Sequence, residues 1–157
     1  MFLITWGIMQ KKEKTRLALF IAYSLIMLVM LFLRPVTGTD TMSYGENVWS
    51  RFNPVPFETI VYFHKILTYN LPFSVFAQVV ANLVGNVLLF IPFGFFLVGI
   101  KTGTRRSFPK VMLISAVVIS VIELTQMFTL RGYCDIDDLI LNEAGVALGY
   151  LSRKIFS

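Results

Sequence analysis

The sequence predicts an all-α membrane protein, a bundle of four transmembrane helices with a short interfacial helix in the long outer loop. Three observations carry that prediction. Apolar residues make up 56% of the chain and charged residues only 15%, against roughly 45–50% and about 25% in soluble domains. Mean hydropathy is +0.72. Long apolar runs alternate with short charged stretches, and the two signs of charge separate along the chain. This composition excludes a soluble enzyme, a disulfide scaffold and a disordered tail. Cys134 is the single cysteine and cannot form an internal bridge, and the single histidine, His64, cannot build a histidine-rich zinc site.

The first crossing is residues 17–33, seventeen positions without a charge, preceded by Lys11, Lys12, Lys14 and Arg16. At 1.5 Å per residue it spans about 26 Å, a slightly short membrane helix. With no small-x-small cleavage site after Leu33, it reads as an uncleaved anchor. The second crossing, residues 75–100, holds twenty-six residues and no charge, and Pro92 and Gly94 predict a kink in it. The third, residues 111–130, contains one acid, Glu123. The fourth spans residues 136–156, about 31 Å, with Arg153 and Lys154 snorkelling at one end. All 157 residues belong to one membrane domain.

Loop charges orient these segments. With the N-terminus inside, residues 1–16, 101–110 and the C-terminal end are cytoplasmic and carry ten of the fourteen basic residues. Arg34, Arg51, Lys65 and Arg131 fall elsewhere, and Glu13 alone of the nine acids falls inside. This positive-inside pattern accounts for the net charge of +5 without nucleic acid. Both termini are therefore expected in the cytoplasm of a multi-pass cell-membrane protein.

Residues 34–74 form the long outer connection. Residues 37–45 read as loop, and a short helix at the membrane surface is expected from Pro56, in its first turn, to a stop at Asn70-Leu71-Pro72.

Polar residues within lipid are costly, about 2.5–3.5 kcal/mol for a central Asp, Lys or Arg. Asn82, Glu123 and Asn142 each lie about 10 Å from the outer end of their helices, so three helices present polar groups at one level. Asn82 and Asn86 are four residues apart and Glu123 and Gln126 three, so each pair shares a helix face. Asp138, Asn142, Gly145 and Gly149 form one stripe of the fourth helix, ending in a small-xxx-small spacing that permits close backbone approach. Arg131 is the one cation expected near Glu123, Asp135, Asp137, Asp138 and Glu143. One guanidinium can clamp one carboxylate but cannot neutralise five. The candidate binding cluster is thus Asn82, Asn86, Glu123, Gln126, Arg131, Asp135, Asp138 and Asn142.

Four stretches of this chain resemble a known family. Residues 53–60, Asn-Pro-Val-Pro-Phe-Glu-Thr-Ile, look like the Asn/Pro-Phe-x-Thr-Ile element of the VanZ-like family. Residues 82–94, running from Asn82 through Asn86 to Pro92 and Gly94, are similar to its second-helix signature. Glu123-Leu124-Thr125-Gln126, then Arg131 and residues 135–142, resemble its acidic third block, and Gly145 and Gly149 match its glycine-rich ending. The resemblance covers about residues 52–151. Glu143 stands where the family often has a small or hydroxylic residue. The resemblance implies a small multi-pass protein of the bacterial cell envelope, and the family takes its name from a component linked to teicoplanin-type glycopeptide resistance.

Two functions follow as expectations. One is a non-enzymatic envelope protein that binds a lipid, a lipid-linked cell-wall intermediate or a partner protein in an outward-facing polar notch, and so lowers glycopeptide susceptibility. The other is a membrane-embedded hydrolase or transferase using Glu123, Asp135 and Asp138 as acid and base. No activated Ser, Cys or His supports a nucleophile, and the surrounding acids suit an amine or cation better than an anion. No resident cofactor or metal is expected; Asp135, Asp138 and Asn142 offer oxygens to a divalent cation such as Mg²⁺ only in the enzymatic reading. Four helices without a repeat make a poor transporter.

Overall fold

The computed structural model describes residues 2–33, 41–69, 72–99 and 105–155, with side chains from residue 11 onward. Its elements are α1 (Phe2–Phe32), α2 (Tyr44–Trp49), β1 (Phe52–Asn53), α3 (Glu58–Thr68), α4 (Phe73–Leu97), α5 (Phe108–Phe128), β2 (Cys134–Asp135) and α6 (Ile136–Ile155). The expectations that fall on residues 34–40, on Asn70 and Leu71, and on Lys101 lie outside the described residues.

Among the described residues three helices are long and apolar enough to cross a membrane: Lys11–Phe32 within α1, Phe73–Leu97 and Phe108–Phe128. Four were expected. The difference is α6, whose 20 residues include Asp137, Asp138, Glu143, Arg153 and Lys154. At about 30 Å it has the length of a span, but its charge content keeps it out of the apolar class. The three apolar helices wear their hydrophobic side chains outward. Leu25, Ile26 and Met30 on α1 and Leu113, Val117 and Val121 on α5 are each more than half exposed, a surface that requires lipid as its solvent.

The core lies where α1, α4, α5 and α6 meet, around Phe90, Val111, Ile119 and Val146, none of which is accessible. α4 and α6 run parallel in close contact. A Cβ placed on Gly94 would collide with the backbone of Val146, one on Gly145 with the Val87 carbonyl, and one on Gly149 with the Ile91 carbonyl. Three glycines therefore set the helix separation, as the small-xxx-small spacing predicts. Gly94 serves this contact, and α4 continues as one helix through Pro92. α1 runs antiparallel to α4: Phe20 stacks against Phe93 and Phe96, and the Tyr23 hydroxyl donates to the Leu89 carbonyl.

Within residues 41–69 the connection between α1 and α4 holds more regular structure than expected. Residues 44 and 45 are helical, because Ser43 and Glu46 form a reciprocal capping box that starts α2. The Ser43 side chain and backbone, bonded to it, hold the Glu46 carboxyl below its ordinary value. β1 and β2 form a two-residue parallel ladder, Phe52 opposite Cys134 and Asn53 opposite Asp135. Pro56 lies ahead of α3 rather than in its first turn.

Candidate functional site at the polar end of the bundle

The starts of α4 and α6, the end of α5 and the β1–β2 ladder converge at one end of the bundle. The basic residues Lys11, Lys12, Lys14, Arg16, Arg105, Arg106, Lys110, Arg153 and Lys154 sit toward the other end of the same helices or in the segments joined to it.

Asp138 is the centre of the polar network. Its Oδ1 accepts from Asn82 Nδ2 at 3.2 Å and from Asn86 Nδ2 at 2.5 Å. The i, i+4 spacing aims both amides at one carboxylate, placed by the first turn of α6, where the helix dipole also favours negative charge. The sequence put Asn82 level with Asn142. The structure instead slides α6 so that Asp138 meets the amides, because the glycine contacts fix the α4–α6 register. Asn142 follows one turn later, 2% exposed, its Oδ1 without a hydrogen-bond partner among the described residues.

Asp135 joins through Asn53, whose Nδ2 donates to Asp135 Oδ2 at 3.1 Å and to Glu58 Oε2 at 2.8 Å. Asp135 Oδ1 also accepts from the Asp137 amide at 2.8 Å. Asp137 is 4% exposed. It accepts from the amides of Phe57 and Thr59 and caps α3 from a different element.

The remaining candidates separate. Glu123 is 5% exposed and lines a cavity with Asp135. Gln126 turns away from the acids: its Nε2 donates to the Leu31 carbonyl of α1 at 2.9 Å, and its own carbonyl accepts from the Arg131 and Gly132 amides. Arg131 is exposed and makes no side-chain hydrogen bond among the described residues. The guanidinium buried in this region belongs to Arg51, at 3% exposure. It lies 5.3 Å over the Tyr133 ring, with a long 3.4 Å bond from Nη1 to the Gly132 carbonyl, and its backbone carbonyl accepts from Cys134. Sequence reasoning missed Arg51, which it counted only as a loop charge, and Asn53, quoted only within a motif. The aromatic partner of Arg51 is Tyr133, eighty-two positions away, so no local signal marks it as a buried cation.

Two cavities flank the Asn53–Asp135 bridge. The first, about 440 Å³, opens between α3 and α4 and is lined by Glu58, Tyr62, Lys65, Gln78, Val79 and Asn82, with Asn53 and Asp135 at one end. The second, about 270 Å³, is mostly apolar: Phe52, Pro54, Leu124, Ile136 and Leu139 surround Glu123, with Asn53 and Asp135 again in the wall. Cys134 also lines it. Burial, with the carboxylates of Glu123 and Asp135 adding to it, pushes the Cys134 thiol above its ordinary value and keeps it protonated. Among the described residues no group of three His, Cys, Asp or Glu side chains is arranged to hold a metal ion.

A family model described as VanZ/LLP1 matches residues 20–157. No curated protein and no solved structure matches the chain.

Proposed function

The chain belongs to the VanZ/LLP1 family, and from that premise we propose that it is a bacterial cell-envelope protein whose polar end faces outward and binds an envelope lipid. One observation carries this reading. A polar groove and an apolar cavity share Asn53 and Asp135 as a common wall, which is the arrangement an amphiphile needs for its headgroup and the start of its chain. Hydrogen-bond glue between helices explains the Asn82 and Asn86 bonds to Asp138, but it does not call for paired cavities.

In this reading α6 is a fourth crossing held against α4 by its glycines, both termini are cytoplasmic, and the basic ends follow the positive-inside rule. Asn82 and Asp135 line the polar chamber and Glu123 and Asp135 the apolar one. Asn86, Asp138 and Asn142 lie behind them, Arg131 stands at the rim, and Gln126 anchors α5 to α1 away from the notch. By holding a lipid or lipid-linked intermediate there, the protein lowers access of teicoplanin-type glycopeptides. Expression in a susceptible host tests this. Wild-type protein should lower teicoplanin susceptibility, and Asp138→Asn and Glu123→Gln should lose the effect at equal membrane abundance. Loss of abundance in both variants would make these residues structural and sink the site.

A second reading, a hydrolase or transferase on a lipid-linked substrate, draws on Glu123 and Asp135 lining one cavity. Phosphate or acyl release from such a lipid by purified protein would favour it.

A further inference from the structure

The larger cavity carries a more specific statement, which rests on the lipid-binding reading. Its α3 wall is one helix face, Glu58, Tyr62 and Lys65 at i, i+4 and i+7. That spacing puts Lys65 about 10 Å along the axis from Glu58. Asn53 ties Glu58 and Asp135 together at the near end, so two carboxylates stand at one end of the groove and an ammonium at the other. Among the described residues Lys65 makes no side-chain hydrogen bond or ion pair. Each carboxylate keeps lone pairs beyond the bonds it accepts from Asn53 and the Asp137 amide.

We infer that this groove selects a zwitterionic phosphate–amine headgroup, its phosphate at Lys65 and its ammonium at Glu58 and Asp135. An anionic headgroup would bring its charge toward two carboxylates with one lysine to oppose them. A simple cation would leave Lys65 uncompensated. A zwitterion matches both ends. Lys65 reaches inward on a flexible four-carbon stem, which lets the ammonium close on a phosphate several ångströms short of its own Cα. Gln78 lies across the groove on α4 and can donate to phosphate oxygens, and the Tyr62 ring lies between the charges, where its face suits an ammonium.

The test uses the full chain, purified in mild detergent, equilibrated with mixed micelles of phosphatidylethanolamine, phosphatidylglycerol and diacylglycerol in equal amounts, and read by native mass spectrometry. Phosphatidylethanolamine should be retained about two- to fivefold over each of the others, the size expected of partly exposed charge pairs. Glu58→Gln should erase the preference over phosphatidylglycerol, and Lys65→Gln the preference over diacylglycerol. Both side chains are exposed on α3, so both variants should keep the wild-type unfolding temperature. Lipid retained without headgroup preference overturns this inference and leaves the lipid reading standing. No lipid retained overturns the lipid reading itself. If free phosphoethanolamine binds where the lipids do not, the zwitterion stands and the membrane source falls.

Discussion

Asp137 closes the N-terminus of α3 from the first turn of α6, its two carboxylate oxygens accepting from Phe57 N at 2.5 Å and from Thr59 N at 2.7 Å. Phe57 itself sits at φ 66°, in the left-handed region that a bulky residue enters only when its surroundings hold it there. The contact fixes where α3 begins, and with it the wall of the larger cavity.

Asp137→Ala should therefore cost about 2–4 kcal/mol of stability, since it removes two hydrogen bonds to a buried charge. Asp137→Asn, which keeps one acceptor oxygen, should fall between. Unfolding in detergent by denaturant measures both. An alanine variant within about 0.5 kcal/mol of wild type, the range of ordinary surface changes, would show that α3 is not held by this cap.

The glycine contacts predict a contrast. A Cβ on Gly145 would meet the Val87 carbonyl, whereas one on Gly85 has nothing within 4 Å. Gly145→Ala should destabilise by about 1–3 kcal/mol through overpacking, and it should weaken the Asn82 and Asn86 bonds to Asp138 by pushing α6 away. Gly85→Ala should be neutral or stabilising by up to about 1 kcal/mol, the helix-propensity gain. Equal effects at both sites would contradict close α4–α6 packing.

Cys134 supplies a pH test of the second cavity. Its thiol is raised by burial and by the Glu123 and Asp135 charges, so thiolate is scarce at neutral pH. Alkylation by N-ethylmaleimide should climb with pH past the ordinary thiol value of about 8.5 without levelling off. Glu123→Gln should move the curve to lower pH. A plateau below pH 8 would mean that the thiol does not face those carboxylates.

Much of this architecture is legible in the sequence. The apolar runs locate α4, α5 and the end of α1 to within a few residues, because lipid as solvent demands uninterrupted apolar stretches. α1 itself begins at Phe2, well before its apolar run, because its helix continues through the basic stretch 11–16. Gly145 and Gly149 announce close packing before any partner is known. What stays hidden depends on distant pairing. A two-residue ladder between Phe52–Asn53 and Cys134–Asp135 carries no periodicity that a sequence can display. The α4–α6 register turns on which carbonyl each glycine admits, so Asp138 rather than Asn142 meets Asn82. Arg51 reads as one more loop charge until Tyr133 is brought beneath it.

A lipid held in the groove between α3 and α4 would be displaced by filling that groove. Val79 lines that groove beside Gln78, between the Tyr62 face of α3 and Asn82, and no hydrogen bond of the site passes through its side chain. Val79→Trp should fill the space and leave the polar network intact. The decisive measurement counts the lipids that stay bound through detergent exchange. Wild-type protein should keep about one lipid per chain and Val79→Trp none, at matched unfolding temperature. The same lipid retained by both proteins, or by neither, would contradict the account.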